Sequence, residues 1–369
     1  MKIRYFDAFA GYGGFSLGIQ KAYVEVSSRS KDRRIKESTE GNDETGERLE
    51  SVQGEADSVS GRQYSPNLTN GENERPPHCV GYSEIDKYAV QVYSKHFPTH
   101  KPYGDITKLD PNTIPDFDLF VGGFPCQAFS IAGKRKGFAD TRGTLFFDIA
   151  RILKVKNPKN ILLENVKGLL SHDNGNTFKT IITSLAELGY DLQWQVLNSK
   201  NFGVPQNRER VFIVGHLRGF GGRQVFPIGT GDEFDTKSYG QGNEVAYCLN
   251  AGGDKHRGSY IRQLNNPTQQ GGNRQPKICK PVLTPDRLEK RQKGRRMKED
   301  GEPSFTLNTQ DKHGIYDGMR IRRLTPTECE RLMGLPDGWT EGVSDTQRYK
   351  LCGNGVVVNV VEEIVKRLL

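Results

Sequence analysis

The first 220 residues alternate between short apolar runs and longer amphipathic stretches. Ile3 to Phe9 reads as a strand, Ala10 to Gly14 as a glycine turn, and Phe15 to Tyr23 as a helix. The same order repeats. A strand over Cys79–Asp86 ends in two carboxylates, and a helix follows from Lys87 to about Phe97. Asp118–Val121 is a buried strand. The span 144–154 has helical spacing, with Leu145, Phe146, Ile149, Ile152 and Leu153 on one side. Asn160–Val166 is apolar until its polar end, 176–188 is an amphipathic helix, and 192–197 and 210–215 complete the set. Strand and helix in alternation predict an α/β fold, with a mostly parallel, doubly wound, Rossmann-like sheet.

Two stretches break this pattern. Residues 27–78 are polar, charged in both signs and poor in large apolar side chains. Such a composition buries too little surface to offset its ordering entropy, so a disordered insertion is expected. Residues 221–319 are rich in glycine, asparagine, glutamine and basic side chains, with only short strand-like pieces, and predict a smaller, irregular second domain. Within it, Cys248–His256 echoes Thr306–Gly314. The expected division is a catalytic domain over 1–220, a second domain over 221–319, and a hinge and C-terminal segment over 320–369 that returns to the first. In that last segment Thr325 precedes Pro326 as a helix cap should.

Charge and cysteine usage narrow the class. The formal net charge is +8, which suits a polyanionic partner. The run Lys290–Lys298 concentrates it, and taken alone this run reads as a solvated surface face. The six cysteines are scattered without Cys-x-x-Cys spacing, which argues against a disulfide framework and against a zinc site. No metal is expected. No apolar stretch reaches membrane-spanning length, and the first residues lack a secretory pattern, so a cytoplasmic protein is expected.

The candidate chemistry lies at strand ends. After the first strand, Ala10, Gly11, Gly13 and Gly14 let a ligand approach the backbone, and the following helix offers free N–H groups. The turn lacks the Gly-Lys-Ser/Thr ending of a phosphate loop. Glu84 and Asp86 suit ribose hydroxyls, and Asp105 an adenine amino group. An acid-lined pocket favours a phosphate-free adenosine derivative, with S-adenosylmethionine the obvious candidate. Cys126, in Gly123-Phe124-Pro125-Cys126-Gln127, follows a buried strand at a sharp turn and is a candidate nucleophile. Glu164, at the end of its own strand, is a candidate acid. A thiolate beside a carboxylic acid suits covalent activation of an electron-poor ring such as cytosine. Attack at C6 makes C5 nucleophilic, and protonation at N3 eases the attack. A duplex base must leave the stack to reach such a pocket.

These segments, in this order, resemble the C5-cytosine DNA methyltransferases. Phe9–Phe15 resembles the family's cofactor loop, Gly123–Gln127 its nucleophile motif, and Glu164-Asn165-Val166 its acid motif. Gln206-Asn207-Arg208-Glu209-Arg210 matches its Gln-x-Arg-x-Arg motif. Arg142–Phe146 is similar to the segment whose leucine lines the cofactor pocket, and Gly353–Val356 to the C-terminal Gly-Asn-Ser-Val motif. The resemblance implies Cys126 as nucleophile, Glu164 as base-activating acid, and Arg208 and Arg210 on the target nucleotide. It implies cofactor contacts from Phe9, Ala10, Gly11, Gly13, Gly14, Leu17, Glu84, Ile85, Asp105, Ile106, Pro125, Leu145, Asn354 and Val356. It further implies a loop from Ser130 to Thr141 that closes over DNA, with Ser130 touching it. Thr306 and Leu307 stand as the Thr-Leu pair of a target-recognition domain. Only this resemblance makes Arg295 and Arg296, within the run Lys290–Lys298, candidate DNA contacts.

Three positions depart from the family's pattern. Ile85 stands where an aromatic is common, Gly355 replaces the usual serine, and residues 27–78 are inserted on a connection. The resemblance implies duplex DNA as substrate and a monomer as the working unit. Its setting would be beside a separate cognate restriction endonuclease, or as a solitary or phage-borne enzyme. The rival reading on the same scaffold is a tRNA-cytosine methyltransferase, which does not need so long a segment between Arg210 and Thr325. A second rival is an inactive DNA-binding module.

Overall fold

The computed structural model describes residues 3–40, 76–125, 145–229, 279–286 and 295–369, with the side chains of the first helix described through residue 30. Six strands form the main sheet in the order β2-β1-β3-β4-β6-β5. These are β1 (Arg4–Ala8), β2 (His78–Ser83), β3 (Leu119–Gly123), β4 (Asn160–Val166), β5 (Tyr190–Asn198) and β6 (Glu209–Leu217). The first four pair in parallel, and β6 runs antiparallel to both β4 and β5.

Both faces of the sheet's centre are covered, which is why β1, β3, β4 and β6 carry apolar runs, whereas the edge strand β5 mixes polar and apolar residues and is only partly buried. Tyr5, Leu119, Val121, Leu162, Phe212 and Val214 point to one core. Phe6, Phe120, Ile161, Leu163, Val211 and Ile213 point to the other. The first core is closed by α1 (Gly14–Glu40), α2 (Lys87–His96) and a C-terminal helix, the second by α3 (Leu145–Lys156) and α4 (Asn176–Glu187). The crossover between β1 and β2 therefore covers one face, and that between β3 and β4 the other. The sheet changes winding direction between β1 and β3, where α/β sheets open a cleft at the carboxyl ends of their strands.

The helix after β1 is longer than its sequence suggested. α1 continues to Glu40 into the segment expected to be an insertion, helped by lysine, arginine and glutamate, which favour helix. An i,i+4 pair between Glu25 and Arg29 and an ion pair from Glu25 to Lys366 tie its middle down. The remainder of that insertion lies outside the described residues, as does the Cys248–His256 echo.

A second, three-stranded antiparallel sheet is formed by β7 (Lys280–Leu283), β8 (His313–Tyr316) and β9 (Ile321–Arg323), the last of these past residue 319, where the second domain was expected to end. The chain then returns through α5 (Pro326–Leu332), α6 (Asp345–Asn354) and α7 (Val358–Leu368). Thr325 and Glu328 close a capping box on α5, as the Thr-Pro start predicted. α7 packs along α1 and completes the first core. Cys79, Cys329 and Cys352 are free and buried. Cys279 is disulfide-bonded, whereas the scattered cysteines had argued against a disulfide framework. Among the described residues no helix is long and apolar enough to cross a membrane, and no group of acidic, histidine or cysteine side chains could hold a metal ion.

Candidate active site

A cleft of about 400 Å³ opens at the carboxyl ends of β1 to β4, within the size range of small-molecule sites. Its first half is made of turns. After β1 the chain passes through Phe9, whose φ of 55° is unusual for a non-glycine residue and is held by the surrounding structure. Ala10, Gly11, Tyr12 and Gly14 follow along the wall. Glu84, just past β2, accepts from Gly11 N at 2.9 Å with one oxygen, and from Ile85 N and Asp86 N, both at 2.8 Å, with the other. One carboxylate thus joins two strand ends into one rim. Asp86 caps α2 and pairs with Lys350 on α6 at 2.7 Å. Asn354, Gly355 and Val356 close the wall opposite.

The other half is made of side chains. Glu164 sits at the end of β4 beside Gly123 of β3. A Cβ on Gly123 would stand 3.0 Å from the Glu164 carboxylate, so glycine there leaves the acid its place. Glu164 is 9% exposed and pairs with Arg210 Nε at 3.0 Å. Burial pushes its carboxyl above the ordinary range, against the opposing pull of Arg210 and Arg208. Arg210 reaches it because β6 runs antiparallel beside β4. Phe212 lies directly opposite Glu164, so Arg210 is the diagonal neighbour on the same face.

Arg208, two residues earlier, is 2% exposed. Its guanidinium donates to the carbonyls of Leu307 at 2.7 Å, Gly353 at 3.1 Å and Gly355 at 2.7 Å. Desolvation pulls its pKa down to about 10. Its two terminal nitrogens are therefore spent on main-chain carbonyls from separate stretches of chain, while its buried Nε has no partner among the described residues. Gln206 does the same beside it, donating to Leu332 O and accepting from Leu307 N.

Several expected residues meet at this cleft, including Phe9, Ala10, Gly11, Gly14, Glu84, Pro125, Glu164, Arg208, Arg210, Asn354 and Val356. Others do not. Leu17 is fully enclosed in the first core, Gly13 lies against the Phe97 ring, and Ile106 is buried in the second core. Leu145 packs partly buried against that second core. Asp105 accepts from Thr107 Oγ1 and N, bonds that hold its carboxyl below the ordinary range, with a smaller pull from Lys108. Ile85 is 76% exposed next to the rim. In the second domain Arg295 pairs with Glu299 and Glu302, and Arg296 donates to Thr284 Oγ1. Thr306 Oγ1 donates to Asn207 O, and Leu307 is buried. Cys126 and Ser130 lie outside the described residues. Pro125, which precedes Cys126 in the chain, lines the cleft.

Sequence reasoning assigned no role to Asn165, Tyr12, Gln206 or Trp339. Asn165 Nδ2 donates to Phe124 O at 2.8 Å and so pins the turn before Pro125. It stood within a quoted motif, and a polar residue ending an apolar strand was the available signal. Trp339 donates to Tyr12 O from 327 residues away, and no local pattern announced that contact.

The residues suit an adenosyl sulfonium. The cofactor half presents acids and main-chain groups, while Arg208 and Arg210 stand in the half around Glu164.

Comparison with known proteins agrees with this geometry. The family model for C-5 cytosine-specific DNA methylases matches residues 67–369. The orphan methyltransferase M.SPRI of Bacillus phage SPR is 35% identical over 404 aligned positions, covering 79% of this chain and 91% of the relative. The type II methyltransferase M.HhaI of Haemophilus parahaemolyticus is 38% identical, covering 78% and 86%. Among solved structures, a Spodoptera frugiperda DNMT2 mutant superposes with a TM-score of 0.58 at 17% identity, covering 100% of this chain and 99% of the other. A putative DNA modification methyltransferase from an E. coli prophage gives 0.57 at 18%, covering 100% and 98%. These two establish the fold, that of the S-adenosylmethionine-dependent methyltransferases. With its matched motifs, its cleft and relatives of this identity and coverage, the chain belongs to the C-5 cytosine-specific DNA methylases and is a DNA cytosine-5-methyltransferase.

Proposed function

We propose that this chain methylates carbon 5 of a cytosine extruded from a specific duplex DNA sequence, through a transient bond between Cys126 and the base. The observation that carries this reading is the position of Glu164. It is desolvated, tied to Arg210, and shares one cleft with the cofactor loop and with Pro125, the residue before Cys126. S-adenosylmethionine, when bound, supplies an electrophilic methyl group.

The residues divide the work. The Cys126 thiolate adds to C6, and the electrons of the C5–C6 double bond move to C5. Glu164, its carboxyl pushed above the ordinary range by burial, donates a proton to N3 and neutralises the charge that this addition places on the ring. After C5 has been methylated it loses its proton to water, the electrons of that C–H bond re-form the double bond and expel the thiolate, and N3 returns its proton to Glu164. Arg210 holds the carboxyl of Glu164 in place and offers donors to the base carbonyl. Asn165 fixes the turn that carries the nucleophile. Arg208 is a positioning residue that locks the recognition segment at Leu307 to the wall at Gly353 and Gly355.

The family's description as C-5 cytosine-specific DNA methylases favours DNA over tRNA as substrate, and the relatives include both orphan and type II methyltransferases. Bisulfite sequencing of DNA from a methylation-free host expressing the protein gives the target sequence. An oligonucleotide with 5-fluorocytosine at that target then tests the bond, because fluorine at C5 cannot leave as a proton does. Wild type is expected to form a denaturant-resistant adduct, and Cys126→Ala none. An adduct that survives in Cys126→Ala, or methyl label that enters only tRNA, overturns the proposal.

A further inference from the structure

We propose that Tyr12 is a positioning residue that sets the width of the cofactor half of the cleft, with Gly355 as its volume complement. This rests on the reading of that half as the S-adenosylmethionine site. Tyr12 lies in the loop after β1, and its ring is 1% exposed. The ring spans the gap to the C-terminal segment. Its hydroxyl donates to Val356 O at 2.6 Å, and its main-chain carbonyl accepts from Trp339 Nε1 at 2.9 Å. The residue is thus held at both ends by a segment more than 300 positions away.

Two glycines bracket the ring. A Cβ on Gly14 would lie 3.0 Å from ring carbon Cε2. A Cβ on Gly355 would lie 2.0 Å from Cε1, 2.4 Å from Cζ and 2.6 Å from the hydroxyl oxygen. No side chain fits there while the ring stays in place. The backbone of Gly355 does not itself call for glycine. Its φ of −74° and ψ of 168° are open to any residue. The glycine is therefore demanded by the tyrosine. A serine at this position is incompatible with the Tyr12 ring as it lies in this chain.

The ring has little freedom to retreat. It belongs to the first core, and its hydroxyl is engaged with Val356 O. Gly355 O accepts from Arg208, so moving the C-terminal segment outward strains that contact. Tyr12, Gly14, Gly355 and Val356 all line the cleft, and any added atom is relieved only by moving one of its walls. The two positions act as one unit of volume, large on the loop and empty on the segment.

A double-mutant cycle tests this, read by calorimetric affinity for S-adenosylmethionine without DNA and by melting temperature. Gly355→Ser is expected to weaken binding about ten- to a hundredfold, the range of overpacking. Tyr12→Leu in the same chain is expected to restore affinity to within about threefold of wild type. Tyr12→Phe keeps the ring's volume and removes the hydroxyl, and is expected to give no rescue. Gly355→Ser binding like wild type, or a double variant showing the product of the two single losses, overturns the proposal. If Gly355→Ser fails to fold, recovery of folded protein on adding Tyr12→Leu supports the pairing, and its failure overturns it. If wild type itself does not bind S-adenosylmethionine, the cofactor reading is at fault. The pairing is then judged by whether Tyr12→Leu restores the melting temperature lost in Gly355→Ser.

Discussion

The two halves of the cleft are built from different materials. The cofactor half is a set of turns in which one carboxylate, Glu84, collects the N–H groups of Gly11, Ile85 and Asp86. The target half is a cluster of charged side chains, in which Glu164 is desolvated and set against Arg210. Both carboxylates stand at the ends of parallel strands. Glu84 is satisfied by the backbone and shapes a rim, whereas Glu164 is held by a cation and kept ready to carry a proton. A like position on a like scaffold serves structure in one case and, in the function proposed, chemistry in the other, and the difference lies in what each acid faces.

The largest effect expected from this contrast is on turnover. Glu164→Gln should lower methyl transfer by about 10²- to 10⁴-fold while leaving calorimetric cofactor affinity within about twofold of wild type. A parallel loss of affinity would erase the distinction between the halves. The same acid fixes a pH limb. Because its carboxyl lies above the ordinary range, the protonated form persists to higher pH than for an exposed glutamate. Activity of wild type should fall as pH rises through that raised value, and the Gln variant should lack this limb.

Next in size is stability. Arg208 and Arg210 share a motif, yet Arg208 binds three carbonyls inside the fold and Arg210 binds Glu164 in the cleft. Arg208→Met should cost about 3 kcal/mol or more, since it strips donors from buried carbonyls. Arg210→Met should cost turnover and change unfolding by no more than about 1 kcal/mol. Urea unfolding beside steady-state kinetics separates the two. Equal stability losses would show that the pair divides no labour.

A third prediction concerns the floor under the cofactor loop. Asp7 is fully buried on β1. It accepts from Ser16 Oγ at 2.7 Å and lies 3.4 Å from the Tyr93 hydroxyl, which also meets His100 Nδ1 at 3.0 Å. Cys79 also borders the network, and Glu84 adds to its field. Burial raises Asp7 from 3.8 to about 7 and lowers His100 from 6.5 to about 4. The folded state thus holds the Asp7 proton more tightly than the unfolded chain, so its contribution declines as pH rises from about 4 to about 7. For His100 the unfolded chain binds the extra proton, so its contribution grows with pH from about 4 to about 6.5. The two slopes oppose each other. Asp7→Asn should leave stability rising with pH across this window, and His100→Gln should leave it falling, by a few kcal/mol at most. Urea midpoints from pH 4 to 8 check both signs. A pH-independent midpoint in both variants would dissolve the pairing.

The smallest effect belongs to the rim. Lys350 and Asp86 are partly exposed, and their ion pair is worth at most about 1 kcal/mol. Lys350→Ala should speed cofactor release less than about fivefold, and the difference should vanish in high salt. Stopped-flow displacement measures it.

The alternation of strands and helices, the glycine turn, the acidic strand ends and the motif order were all legible along the chain. Each arises from residues within one turn or one strand of each other, and local sterics and hydropathy act over that range. The extension of α1 was less legible, because a mixed-charge helix looks like a polar loop until packing and ion pairs hold it.

Sequence alone therefore determined which residues are candidates for the chemistry and in what order they are strung. Tertiary structure decided which of them share a space. Arg210 meets Glu164 only because β6 runs back beside β4, and Arg208 turns inward only because Leu307, Gly353 and Gly355 arrive there from more than ninety residues away. Asp105 is engaged by its own loop, and Gly355 is a glycine because of a ring in the first turn of the chain. Side-chain identity is a property of one position, whereas partnership depends on distances that exist only once the sheet has closed and both of its faces are covered.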